Sequence, residues 1–129
     1  MIYYLATPYS HENKDIMRSR YFDSLLAQKK LMDAGIAVIN PLANSVPLEE
    51  IGHKFGDEIY DIDLEILRKC DAVIVLMLDE WKESKGVTME ISEAKTLDIQ
   101  VFYVREFEMT DLAMLLEKWG KHLPKKEEL

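Results

Sequence analysis

The stretch from Asp71 to Leu78, Asp-Ala-Val-Ile-Val-Leu-Met-Leu, is a near-continuous apolar run rich in β-branched residues. It is much shorter than the roughly 20 apolar residues of a membrane helix, and its lack of alternation is that of a strand covered on both faces. Such a strand belongs to a parallel sheet with helices on either side, so the rest of the chain must supply both.

The flanking sequence does so in alternation. Ile2 to Ala6 is apolar and β-prone and reads as a first strand, with no leader expected before it. Thr7 to His11 reads as a loop, with Asn13 or Ser10 as the cap of a long helix from Asn13 to Ala34 whose apolar stripe holds Met17, Tyr21, Leu25, Leu31 and Met32. Gly35 stands where a helix ends, and Ile36 to Asn40 reads as a second strand. Pro41 to Gly56, with two prolines and one asparagine, reads as a long loop with one helical turn around Leu48 to His53. Ile59, Ile62, Ile66 and Leu67 give a helix over 57–69, in which Asp63 lies between Ile62 and Leu64 and faces the loop cleft, while Asp57, Glu58, Asp61 and Glu65 read as solvated surface. Gln100 to Val104 is a fourth strand, and a closing helix over 111–121 has Thr110 as its cap and Gly120 near its end. The expected fold is a three-layer α/β/α sandwich around a mostly parallel sheet of four to five strands, flavodoxin- or Rossmann-like, formed by a single domain over 1–123 with a charged tail at 124–129.

Composition narrows the function. A net charge of −8 disfavours general nucleic-acid and anionic-membrane binding. Cys70 is the single cysteine, so no intrachain disulfide forms and a reducing, cytoplasmic setting is expected. His11, His53 and His122 have no metal-ligand spacing, so no metal is expected.

The chemistry-bearing stretch is Ser84-Lys85-Gly86-Val87-Thr88-Met89-Glu90. Periodicity from Ile91 onward starts a helix near Val87 or Thr88, which puts Glu90 in the first turn, where a carboxylate has an ordinary electrostatic reason to sit. Gly86 permits close approach of a ligand to the backbone, and Ser84 places a hydroxyl beside free N–H groups, a combination suited to an anion. In open α/β sheets ligands bind at the carboxyl ends of the strands, where this stretch lies.

Tyr4-Leu5-Ala6 in a first strand, Asp63 eight residues before Asp71, and Ser84-x-Gly86-x-x-x-Glu90 opening a helix together resemble the nucleoside 2-deoxyribosyltransferase superfamily, which includes the 2′-deoxynucleoside 5′-monophosphate N-glycosidases. The Tyr-Leu-Ala-x-Pro-Tyr-Ser start and the Trp81-x-x-Ser84-x-Gly86-Val87 segment resemble a phage and bacterial branch of it, and the resemblance spans 2–104.

The resemblance implies Glu90 as nucleophile at the anomeric carbon of a 2-deoxyribosyl group, Tyr4 as the hydroxyl that orients it, and Asp63 as the acid that protonates the departing base. It implies Ser84 and Gly86 as binders of the 5′ end, with Ser84 suiting a 5′-monophosphate because a serine, unlike a carboxylate, does not repel a phosphate. Pro8, Tyr9 and Ser10 in the first loop border the same substrate, and His11, Arg18 and Arg20 are further candidates for phosphate contact. Trp81 either stacks on a base or covers the sheet edge. The partner implied is a small-molecule nucleoside or nucleotide with no cofactor, and the expected assembly is a homodimer or larger homo-oligomer in which a neighbouring subunit completes the site. Hydrolysis of the N-glycosidic bond, exchange of bases between nucleosides, and nucleotide binding without turnover are the three activities such a chain supports.

Overall fold

The computed structural model describes residues 1–119. Four strands, β1 (Ile2–Ala6), β2 (Ala37–Ile39), β3 (Ala72–Leu76) and β4 (Gln100–Val104), form one parallel sheet in the order β2-β1-β3-β4. Five helices surround it: α1 (Lys14–Asp33), α2 (Pro41–Glu50), α3 (Glu58–Leu67), α4 (Lys85–Thr96) and α5 (Met109–Trp119). The expected tail at 124–129 and the end of the closing helix lie outside the described residues. Among the described residues no helix is long and apolar enough to cross a membrane.

Alternation along each strand divides the core in two. Tyr3, Leu5, Ile74 and Leu76 point to one face, where they meet Leu31 of α1 and Met109, Ala113 and Leu116 of α5. Tyr4, Ala6, Val73 and Val75 point to the other and meet Leu67 of α3 and Val87 and Ala94 of α4. All five residues of β3 are fully buried, as expected of a strand with helices on both sides. The polypeptide leaves β1 for β2 on one side, then returns past β1 to reach β3. The strand order therefore reverses between β1 and β3, and a crevice opens at their carboxyl ends.

Several expectations need correction. The stretch after β2 is a helix, α2, because Asn40 caps it, its Oδ1 accepting from the Leu42 N–H at 3.1 Å, and Pro41 occupies the first helical position, where a missing N–H costs nothing. Pro47 stands within α2 at an exposed position. α4 starts at Lys85, two residues before the expected start, with Ser84 as N-cap, so Glu90 is in the second turn and the macrodipole does not explain it. Met32 is 58% exposed and takes no part in the α1 stripe. α5 begins at Met109 after a short 3₁₀ turn at Glu106–Glu108, so Thr110 lies inside it and is not its cap.

Candidate active site

The crevice between β1 and β3 is a cavity of about 750 Å³. Its floor includes Leu5 and Thr7 at the end of β1, one wall comes from α2 and the segment after it, and the other from α3 and the start of α4. Tyr4, Glu90 and Asp63 come together here from three elements. Tyr4 on β1 is completely buried, and its hydroxyl donates a hydrogen bond to Oε2 of Glu90 on α4. Glu90 is 8% exposed and lines the cavity with half-buried Asp63 of α3.

Burial sets the acid–base character of the group. It pushes the Glu90 carboxyl up to about 8, assisted by the charge of Asp63 and opposed by the Tyr4 hydrogen bond. Burial likewise pushes Asp63 up to about 6. The Tyr4 phenol is held far above its ordinary range by burial and by the two carboxylates, so it acts only as a donor. Two carboxyls that feel each other titrate as a pair. Around neutral pH the pair therefore carries one charge and one proton, the state needed by a site with one nucleophile and one acid.

Ser84, Gly86, Tyr9 and Ser10 also line the cavity. The Ser84 hydroxyl oxygen accepts from the Val87 N–H at 3.3 Å, so it caps α4 while facing the crevice. A Cβ added at Gly86 would meet the Tyr60 ring at 3.5 Å, an ordinary contact, so the glycine is not required by packing against that ring.

Five sequence candidates lie outside the cavity walls. Pro8 is fully buried beneath the loop, and Arg18 is exposed on α1. Trp81 packs its ring 5.7 Å from that of Tyr103 on the edge strand β4, so it covers the sheet edge. Arg20 has a structural task. Buried at 7% exposure, it donates to the carbonyl oxygens of Tyr9, Ser10 and Asp79 at 3.4, 3.1 and 3.0 Å, which ties the loop after β1 to the segment after β3. His11 points to Glu80, at 3.7 Å, and is not a wall residue.

The walls also contain residues that the sequence pattern did not single out, chiefly Glu49, His53, Phe55, Tyr60 and Lys85. The signal that could have found most of them is Asn40-Pro41, a cap followed by a first-turn proline, which announces α2 and therefore a wall. Five carboxyl side chains, Glu49, Asp57, Asp63, Glu83 and Glu90, line the cavity against Lys54, Lys85 and His53. Lys85 lies 4.9 Å from the centre of the Tyr60 ring and 4.0 Å from Asp57. Among the described residues no group of three or more His, Cys, Asp or Glu side chains could hold a metal ion.

A solved structure of a 2-deoxyribosyltransferase from the psychrotolerant bacterium Bacillus psychrosaccharolyticus shares this fold, with a TM-score of 0.61 and 22% identity over 81% of this chain and 72% of that one. No curated protein matches the chain. The family model described as "Domain of unknown function (DUF4406)" matches residues 1–103, and the chain belongs to that family.

Proposed function

We propose that this protein cleaves the N-glycosidic bond of a 2′-deoxynucleoside, free or as its 5′-monophosphate, with Glu90 as nucleophile. The observation that carries this reading is the buried carboxylate held by the Tyr4 hydroxyl at the floor of a cavity, with a second half-buried carboxyl, Asp63, lining the same space.

The chemistry follows from those groups. An Oε atom of Glu90 attacks C1′ as the C1′–N bond breaks through an oxocarbenium-like transition state, and the bonding pair leaves with the base nitrogen. Asp63 supplies the proton that neutralises the base. Water then attacks C1′ of the glycosyl ester, gives its proton to the Asp63 carboxylate, and releases Glu90 and free deoxyribose or its 5-phosphate. Burial ranks Glu90 as the weaker acid of the two, whereas a nucleophilic Glu90 needs the charge. The Tyr4 donor and the positive charge developing at C1′ both draw the negative charge to Glu90.

Transfer of the deoxyribosyl group to a second base is the other reading, favoured by the activity of the fold neighbour, which is a 2-deoxyribosyltransferase. Hydrolysis is preferred because the cavity rim at Lys54, Gly56 and Asp57 is exposed and admits water to the ester.

Incubation with deoxynucleosides and their 5′-monophosphates, followed by chromatography for free base, tests the proposal. Wild type should release base, and Glu90→Gln should fall on the order of 10³-fold or more. Base release in the variant at the wild-type rate would remove Glu90 from the chemistry, and an added acceptor base that yields new nucleoside would favour transfer.

A further inference from the structure

Glu90 and Ser84 are held in place by their neighbours, but the α2 wall presents a carboxyl that is not. Glu49 is half-buried and lines the cavity, yet among the described residues it makes no hydrogen bond and no ion pair, and its nearest electrostatic counterweight is His53, one turn on. Ser45, one turn before it on α2, is already engaged, donating to the Pro41 carbonyl at 3.2 Å. Glu49 is also the next-to-last residue of α2, at the helix end where backbone carbonyls make a carboxylate unfavourable. Burial lifts its carboxyl above the usual range, and the Tyr9 phenol, lifted by burial first, also feels the charge of Glu49, which places both at the same end of the cavity. Folding therefore retains a carboxyl in a poor place for stability, unpaired and facing the crevice.

The topology says what would meet it. With the anomeric carbon at Glu90 and the 5′ group at Ser84 and Gly86 on the α4 side, the base extends past Asp63 towards the α2 side, where Leu42 and Met17 supply apolar surface. We propose that Glu49 reads the base, accepting a hydrogen bond from an exocyclic amino group, so that the substrate class is amino-bearing deoxynucleosides. A carboxylate has no proton to give, so a ring carbonyl in place of the amino group would face it acceptor to acceptor. This rests on the glycosidic reading given above for the same cavity.

Calorimetric binding to the Glu90→Gln protein tests it without turnover. The ligands are deoxycytidine against deoxyuridine, and deoxyguanosine against deoxyinosine; the second pair differs only by an amino group. The amino-bearing member of each pair should bind about tenfold or more tightly. Adding Glu49→Met, which keeps helix propensity and length, should bring each ratio within about threefold of unity, with circular dichroism confirming the fold. Glu49→Gln, which offers an amide donor, should improve binding of deoxyuridine, the member with a carbonyl in place of the amino group, relative to Glu49→Met. Equal binding within the pairs, or a preference unchanged by Glu49→Met, overturns the role of Glu49 and leaves the glycosidic reading standing. No binding by any of the four, either free or as the 5′-monophosphate, overturns both.

Discussion

The two walls of the cavity are built on opposite terms. On the α4 side the polar groups Glu90 and Ser84 are buried or half-buried and tied down: Tyr4 holds Glu90, Ser84 caps the helix, and the core beneath them is closed. On the α2 side the polar groups are more open, Glu49 is unpaired, and Lys54 and Asp57 stand at the rim. The difference is that between a surface fixed in advance of the substrate and one left free to respond to it. Fixed groups serve a transition state because they cost no reorganisation at the moment of reaction. Free groups serve discrimination, because whichever partner satisfies them gains the full difference.

Asp63, on the α3 part of the second wall, tests the division most severely. Asp63→Asn should lower base release by about 10²–10⁴-fold if it is the general acid. The wild-type pH profile should rise as the pair loses its first proton near 6 and fall as it loses the second near 8, since the active form holds one proton. In Asp63→Asn the alkaline limb should vanish, and the remaining acid limb, now Glu90's own ionisation, should lie below about 8 because the charge that raised Glu90 is gone, and no lower than the wild-type limb near 6. A profile with both limbs intact would take Asp63 out of the proton transfer.

The same division separates what was legible in the sequence from what was not. β1, β3 and β4 could be read because continuous or β-branched apolar runs of that length have few alternatives, and the stretch from Ser84 to Glu90 followed from its place after β3. Periodicity puts Glu90 a turn too near the helix start because it begins at the first apolar contact, Val87, while the cap at Ser84 precedes it. The α2 wall was illegible for a different reason. Asn40, Pro41 and Pro47 look like breakers by composition, and only their positions make the first two a cap and a first turn. Arg20 shows the limit of reading charge as function: its guanidinium goes to three backbone carbonyls, a pairing that no local pattern encodes.

Tyr4→Phe sharpens the comparison from the fixed side. It removes a hydrogen bond to a buried carboxylate, and base release should drop about 10- to 100-fold, the range expected for a bond to a charged group. Without the donor the Glu90 carboxyl climbs further, so the alkaline limb should move to higher pH. A variant that merely packs worse would melt earlier with both limbs in place, so the pH profile and a melting curve together separate the two.

The smallest expected effect concerns Lys85 on the α4 side. Lys85 is the first residue of α4, at the positive end of the helix dipole, where a cation is unfavourable by about 0.3–1 kcal/mol. Its ammonium stands beside Tyr60 and Asp57, next to the cap where the 5′ end of the substrate would lie. In a cavity with five carboxyl side chains, a phosphate dianion needs a nearby cation more than a neutral 5′-hydroxyl does. Lys85→Met should therefore lower kcat/KM for deoxynucleoside 5′-monophosphates by about three- to tenfold, leave free deoxynucleosides within about twofold, and keep or slightly raise Tm. Equal losses for both substrate sets would make Lys85 part of the wall and not a reader of charge. No loss for either would mean that the carboxylates set the preference, and the free nucleoside would then be the form for which this crevice is built.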